Sequence, residues 1–259
     1  MDTGFNGKTA VVTAGAGIAG RAICAAFADN GARVAVCDGD PASACHYAKK
    51  LRESGADAEG FEVNFGKRSE LAAACDAIIK RFGKIDILIN NENAILLPDE
   101  RAVLHELDME LCEKIINDGI KSFFTFSRRC MQDMASRKSG SVVNITSIRG
   151  LIPVAFQTPI IAVASAVIGM TKMWGVELKN EGIRVNGIAA GFTEDEFELT
   201  TQTTDDKIRK LAHLAIQRPV RAEELAAAAL FLASDGAGYI TGAVLPVDGG
   251  LSAGYVRSF

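Results

Sequence analysis

Short apolar runs alternate along this chain with longer stretches whose apolar positions recur at helical spacing. The runs Lys8–Thr13, Arg33–Cys37, Ala58–Asn64, Ile85–Ile89, Ser141–Thr146, Ile183–Ala189 and Ala243–Val247 are predicted strands. Helical patterns fill the intervals, over Arg21–Asn30, Ala42–Ser54, Ser69–Phe82, Met109–Ser136, Thr158–Glu181 and Glu223–Ala233. Near-continuous apolar strands that alternate with helices predict a parallel sheet covered on both faces. Right-handed crossovers make it doubly wound, an α/β fold. Gly31, Gly55, Gly83, Gly140 and Gly182 each fall between a helix and the next strand, where a left-handed cap is expected. The polar stretch Thr193–Asp206 breaks the alternation and is read as a mobile loop.

Composition narrows the picture. With 259 residues and 48% hydrophobic content the chain is expected to form one domain over 1–259. A net charge of −4 and the lack of a Lys/Arg run argue against nucleic-acid or membrane partners. The N-terminal residues lack the basic and apolar regions of a signal peptide, so a cytoplasmic protein is expected. The nearly uncharged stretch around Gly150 to Thr171 carries prolines and small residues, and reads as a loop plus a buried helix rather than a membrane span. Cys24, Cys37, Cys45, Cys75, Cys112 and Cys130 include no CxxC pair. Reduced buried thiols are expected, with no metal site.

Candidate chemistry begins at the first predicted turn. Gly15-Ala16-Gly17-Ile18-Ala19-Gly20 is a GxGxxG between a strand and a helix. Such glycines let backbone N–H groups approach a pyrophosphate at the positive end of a helix. Asp38, at the end of the second strand, is placed to bind ribose hydroxyls and so to select NAD over NADP. The same glycines also serve plain strand–helix packing.

The segment from Thr158 to Lys179, TPIIAVASAVIGMTKMWGVELK, resembles the active-site helix of short-chain dehydrogenases/reductases. Asp86-Ile87-Leu88-Ile89-Asn90-Asn91, Gly182-Ile183-Arg184-Val185-Asn186, Tyr239-Ile240-Thr241-Gly242 and Val247-Asp248-Gly249-Gly250 extend the resemblance over essentially the whole chain. It implies a Rossmann-like fold and NAD(P)-dependent hydride transfer. It also implies a tyrosine acid, a lysine that lowers its pKa and holds the nicotinamide ribose, a serine that polarises the carbonyl, and a supporting asparagine. In register with Val167-Ile168-Gly169-Met170-Thr171-Lys172, the tyrosine position is Ile160 and the lysine position Ala164. The asparagine position is Gly119, and Ser147 keeps the serine. Isoleucine and alanine carry no proton, so no catalytic residue is expected and Ser147 reads as a remnant. Tyr47, Tyr239, Tyr255, His46, His105 and His213 lack a catalytic setting and are expected to be packing or surface residues. Asn117 is expected to point to a face other than that of Gly119.

Along the cofactor contour the departures accumulate. Ala14 and Ile18 occupy two of the family's glycine positions, and Asn64 replaces the aspartate that meets adenine. The family's NNAG becomes Asn90-Asn91-Glu92-Asn93, adding bulk and negative charge near an anionic ligand. Ala190-Gly191 stands for Pro-Gly. Gly15, Gly17, Gly20, Asp38 and Asn90 read as remnants of a cofactor site, and no cofactor is expected on this chain.

The helices the family uses for association look sound. The long helix carries Phe123, Phe124, Phe126, Cys130 and Met131, and the Thr158–Glu181 helix carries Ile160, Ile161, Val163, Val167, Ile168, Met170 and Trp174. The resemblance implies a two-fold four-helix contact there, a second contact over Glu223–Gly250, and a tail, Leu251–Phe259, that could reach a neighbour. The expected role is a catalytically silent subunit that forms a heterotetramer with an active paralogue holding the NAD. The alternatives are a ligand-sensing protein on the same scaffold and, behind it, an active reductase with an atypical site.

Overall fold

The computed structural model describes residues 4–91, 101–201 and 203–254. Seven parallel strands form one sheet in the order β3-β2-β1-β4-β5-β6-β7. They are β1 (Thr9–Val12), β2 (Arg33–Asp38), β3 (Ala58–Glu62), β4 (Ile87–Asn91), β5 (Gly140–Ser147), β6 (Ile183–Ala190) and β7 (Val244–Val247). Every residue of β1 and β4 is buried, as a parallel sheet covered on both faces requires. Strand order reverses between β1 and β4, which opens a crevice at the carboxyl ends of the strands. The Thr13-Ala14 turn, Asn91 and Ser147 all lie on that side.

Two apolar clusters pack the two faces. One joins α1 (Ile18–Asp29), α2 (Pro41–Glu53) and α9 (Ala222–Ala233) through Ile23, Phe27, Leu51, Leu225 and Leu232. The other joins α3 (Leu71–Phe82), α5 (Phe123–Ser136) and α6 (Thr158–Glu177) through Ile78, Phe82, Phe123, Phe126 and Trp174. Each such side chain stabilises the fold by about 1.5–3 kcal/mol through area removed from water. The helix from Thr158 to Glu181 is long and apolar enough to cross a membrane, yet Ile160, Val163, Val167 and Trp174 lie against the sheet.

Several expectations need correction. The stretch Thr193–Asp206 is helical rather than loop: α7 (Glu194–Thr200) and α8 (Thr204–Leu211) fill it. The Thr193 and Thr203 hydroxyls cap these helices, accepting from the N–H of Glu196 and Asp206. Both follow the Thr-x-x-acidic spacing of a helix start. The long helix is not uniform: α4 (Met109–Ile116) and α5 are joined by a π-helical segment, Asn117–Ser122, which contains Gly119. Gly31, Gly55, Gly83 and Gly182 do adopt positive φ, but Gly140 lies within β5 and does not. Phe123, Phe126 and Trp174, expected at a subunit contact, are buried in this chain's own core, with Phe123 stacked on Trp174 at 5.9 Å. The large apolar residues that α5 and α6 leave exposed are Phe124, Met173 and Val176.

At the start of α9, the Arg221 N–H donates to Glu224 Oε2 at 2.9 Å, and Arg218 pairs with the same carboxylate. The Arg218 guanidinium, then the Arg221 N–H, hold the Glu224 carboxyl down to about 2, against an ordinary 4.5. A carboxyl depressed in the fold contributes stability above its unfolded pKa and loses it as pH falls through the folded value. Glu224→Gln should therefore melt below the parent at neutral pH, with the two curves converging from about 4.5 toward about 2. Thermal melts across that window check this, and a gap independent of pH would refute it.

Candidate functional site

The turn after β1 keeps the shape of a nucleotide-binding turn with altered residues. Ala14 sits at φ 45°, in the left-handed region that glycine occupies without cost. A Cβ at Gly20 would collide with the Ala14 carbonyl, so that glycine is needed for strand–helix packing alone. Gly17 is exposed and meets nothing closer than 3.4 Å. Beside it Ile18, the first residue of α1, is 53% exposed, leaving its branched side chain at the mouth of the turn. The Asp38 carboxylate is engaged with the chain itself. Its Oδ2 accepts the Ala16 N–H and its Oδ1 the Asp40 N–H, each at 3.1 Å. Asn64 likewise accepts the Gly66 N–H in a local turn. The Asp38 bonds orient its carboxylate and leave each oxygen with further acceptor capacity.

Asn90 is committed inward. Its amide donates to Ser127 Oγ at 3.0 Å and to Asn144 Oδ1 at 2.9 Å, and Asn144 donates on to Thr171 Oγ1 on α6. This buried polar chain ties β4 and β5 to two helices. Asn91 is held by the Thr13 hydroxyl, which accepts its N–H. Glu92 and Asn93 lie outside the described residues, as does Tyr255.

The fold gathers the residues at the family's four catalytic positions. Ile160 and Ala164 lie one turn apart on α6, 3% and 2% exposed. The turn that follows Ser147 packs against this helix: a Cβ at Gly150 would lie 2.7 Å from Ile168 and 2.8 Å from the Ala164 backbone. Gly119 reaches α6 from the other side. A Cβ placed there would lie 2.6 Å from Val163 Cγ1, so the space for a larger residue is closed by a neighbouring side chain. No proton donor stands at Gly119, Ile160 or Ala164. Tyr47 is on α2, its hydroxyl donating to the Arg21 carbonyl, and Tyr239 is fully exposed. His46 and His105 are surface residues. Among the described residues no three His, Cys, Asp or Glu side chains converge as a metal site. The Cys24 and Cys37 thiols are pushed up, chiefly by burial, which makes them inert packing groups.

Ser147 has acquired another partner. Its Oγ accepts the Arg149 N–H at 3.2 Å and one guanidinium nitrogen at 3.3 Å. The buried Arg149 also pairs with buried Glu196 of α7 and lies over the Phe192 ring. The hydroxyl thus helps to position a buried ion pair, a role invisible in the sequence because Arg149 and Glu196 are far apart in the chain. The nearest signal was a lone cation at the edge of the uncharged stretch that starts at Gly150. His213 is exposed, as expected of a solvated residue, and also lines a cavity beside Arg149.

The enoyl-(acyl carrier protein) reductase family matches residues 13–252. The chain is 31% identical over 249 residues to the 3-oxoacyl-(acyl-carrier-protein) reductase FabG of Thermotoga maritima, covering 95% of this chain and 98% of that one. It is 32% identical over 254 residues to the cis-4-hydroxycyclohexanecarboxylate dehydrogenase of Sinomonas cyclohexanicum, covering 98% and 100%. Among solved structures, the gluconate 5-dehydrogenase of Burkholderia cenocepacia, in complex with NADP and tartrate, superposes with a TM-score of 0.89 at 26% identity, over 96% of each chain.

Proposed function

This chain belongs to the short-chain dehydrogenase/reductase family, and we propose that it is a catalytically silent member, a structural subunit that assembles with an active paralogue. The observation that carries this reading is the joint loss at one place. Ile160 and Ala164 supply no acid and no ammonium, and Val163 fills the space beside Gly119. General acid catalysis is worth about 10²–10⁴-fold in rate, and among the described residues no tyrosine or lysine takes the place of Ile160 and Ala164. NAD, in this reading, is held by the partner subunit.

The pattern resembles the inactive subunit of the two-component, NAD-dependent 2-(hydroxy(phenyl)methyl)succinyl-CoA dehydrogenase of anaerobic toluene degradation. On that resemblance the substrate of the complex is a hydroxyacyl-CoA thioester. The free cysteines suit a cytoplasmic setting. Co-expression of a tagged chain with an untagged active paralogue tests the reading. One hetero-oligomer is expected, and a monomer beside a fully active partner would sink it. A second reading, a ligand-binding protein on a dehydrogenase scaffold, draws support from the buried Arg149–Glu196 pair and the cavity next to it. An active reductase using Ser147 and water ranks last, because Ile160 and Ala164 leave neither the tyrosine nor the lysine.

The isolated chain should bind NAD weakly or not at all. Ile18 stands at the mouth of the turn, and Ala164 offers no ammonium for the nicotinamide ribose. Calorimetric titration checks this. Micromolar affinity would restore Asp38 and the glycine turn as a working site.

A further inference from the structure

Beside the Ser147 turn lies a cavity of about 260 Å³, walled by Ile148, Ile152, Val154 and Leu251. Arg101, Arg149 and Lys210 converge on it. Arg149 is buried, and Arg101 and Lys210 are half-buried. Glu196 pairs with Arg149. Lys210 is held differently: its ammonium donates to the Thr200 carbonyl at 2.9 Å and the Thr200 hydroxyl at 2.6 Å, both neutral. Two of its three N–H donors are so used, which leaves one. Arg149 and Lys210 also flank a single ring, 5.3 and 5.6 Å from the centroid of Phe192. Aromatic faces and neutral oxygens steady a cation without cancelling its charge. Burial lowers the Lys210 pKa, and Arg101 and Arg149 push the same way against Glu196 and Asp206. Gln157 and His213 complete the lining, so the cavity is largely apolar along its walls, with its cations gathered around Phe192.

We propose that this cavity binds a small carboxylate carried on a compact apolar body, the carboxylate accepting from Lys210 on the side where Arg149 and Arg101 converge. A carboxylate there accepts the remaining Lys210 N–H and offsets the clustered cations, and such charge-assisted bonds are stronger than neutral ones. The body covers Ile148, Ile152, Val154 and Leu251, which a bare anion would leave facing water. The volume lies near the lower end of ligand cavities, roughly 300–1,000 Å³, so a ring-sized acid fits and a nucleotide does not. With Ile160 and Ala164 at the family's tyrosine and lysine positions, the ligand is held without being reduced.

The full chain titrated with cyclohexanecarboxylate, cyclohexanecarboxamide and inorganic phosphate tests this. The carboxylate should bind at least ~10-fold more tightly than the isosteric amide, and phosphate more weakly still. Lys210→Gln should weaken carboxylate binding by ~10-fold or more and amide binding by less, and it is this change in the acid-to-amide ratio, which loss of the Thr200 bonds alone would not produce, that reads the contact. Arg149→Met is the less useful variant, since it strands Glu196 in the interior. Equal affinity for acid and amide, phosphate binding as tight as the carboxylate, or an indifferent Lys210→Gln would each overturn the proposal. Binding here is separable from subunit pairing. A monomer that takes up the carboxylate keeps this site and loses the silent-subunit reading, whereas a hetero-oligomer that ignores the carboxylate does the reverse.

Discussion

Writing the acid and its partner back into the chain, as Ile160→Tyr with Ala164→Lys, is expected to leave turnover at least ~10²-fold below that of an active paralogue. Both positions are buried, and Ala164 lies against the backbone of the Gly150 turn. A lysine there loses hydration, which disfavours its charged form and weakens the help it could give a tyrosine. Ser147 would still be bonded to Arg149. The asparagine position would still be closed, because any side chain at Gly119 meets Val163. Hydride transfer also needs a nicotinamide held in a near-attack geometry, and Ile18 and Asp38 would be unchanged. Single-turnover measurements with NAD and the substrate of the active paralogue decide the matter. A rate within about tenfold of that relative would show that the cofactor turn is competent. Gly119→Asn alone should destabilise the fold by about 1–3 kcal/mol through overpacking, and Val163→Ser should relieve much of that cost.

A carboxylate placed on the outer face of α6 is expected to separate this chain from its active paralogue. Met173 is 49% exposed and Val176 60%, and Phe124 of α5 is 46% exposed beside Trp174. Met173→Glu puts a charge where the proposed contact would exclude water, and an unpaired buried carboxylate costs several kcal/mol, at least ~10²-fold in affinity. The variant should fold as well as the parent when alone, because in the single chain the side chain faces solvent. Size-exclusion chromatography with mass determination reads the result. A hetero-oligomer that tolerates glutamate at both Met173 and Val176 would remove this face from the contact. Phe123, Phe126 and Trp174 are unsuitable for the experiment, since charging them would unfold the core.

The difference between these two sets of residues marks the limit of what periodicity carries. On the long helix and on α6 the apolar positions were legible, but not which neighbour each one meets. Phe123 and Phe124 are adjacent and equally apolar, yet one is fully buried and the other half exposed. The π-helical segment at Asn117–Ser122 shifts the register of the helix just ahead of them, which no regular 3.6-residue count anticipates. The loop expected at Thr193–Asp206 shows the opposite failure. Its capping spacing was present in the sequence, but polar, acidic composition outweighed it.

By itself the sequence determined the alternation of strands and helices, and with it the parallel doubly wound sheet. Both follow from local hydrophobic period, which acts over a few residues. It also placed Ile160 and Ala164 at the positions aligned with the family's tyrosine and lysine, and neither side chain is titratable whatever surrounds it. Tertiary structure alone decided the rest of the site. Val163 closes Gly119 from another helix, Asp38 is drawn onto the N–H of Ala16, and Arg149, Glu196 and Lys210 meet around Phe192 from three separate elements. These are encounters between segments distant in the chain. Close packing and the need to pair buried charge select them only once the sheet has brought the segments together.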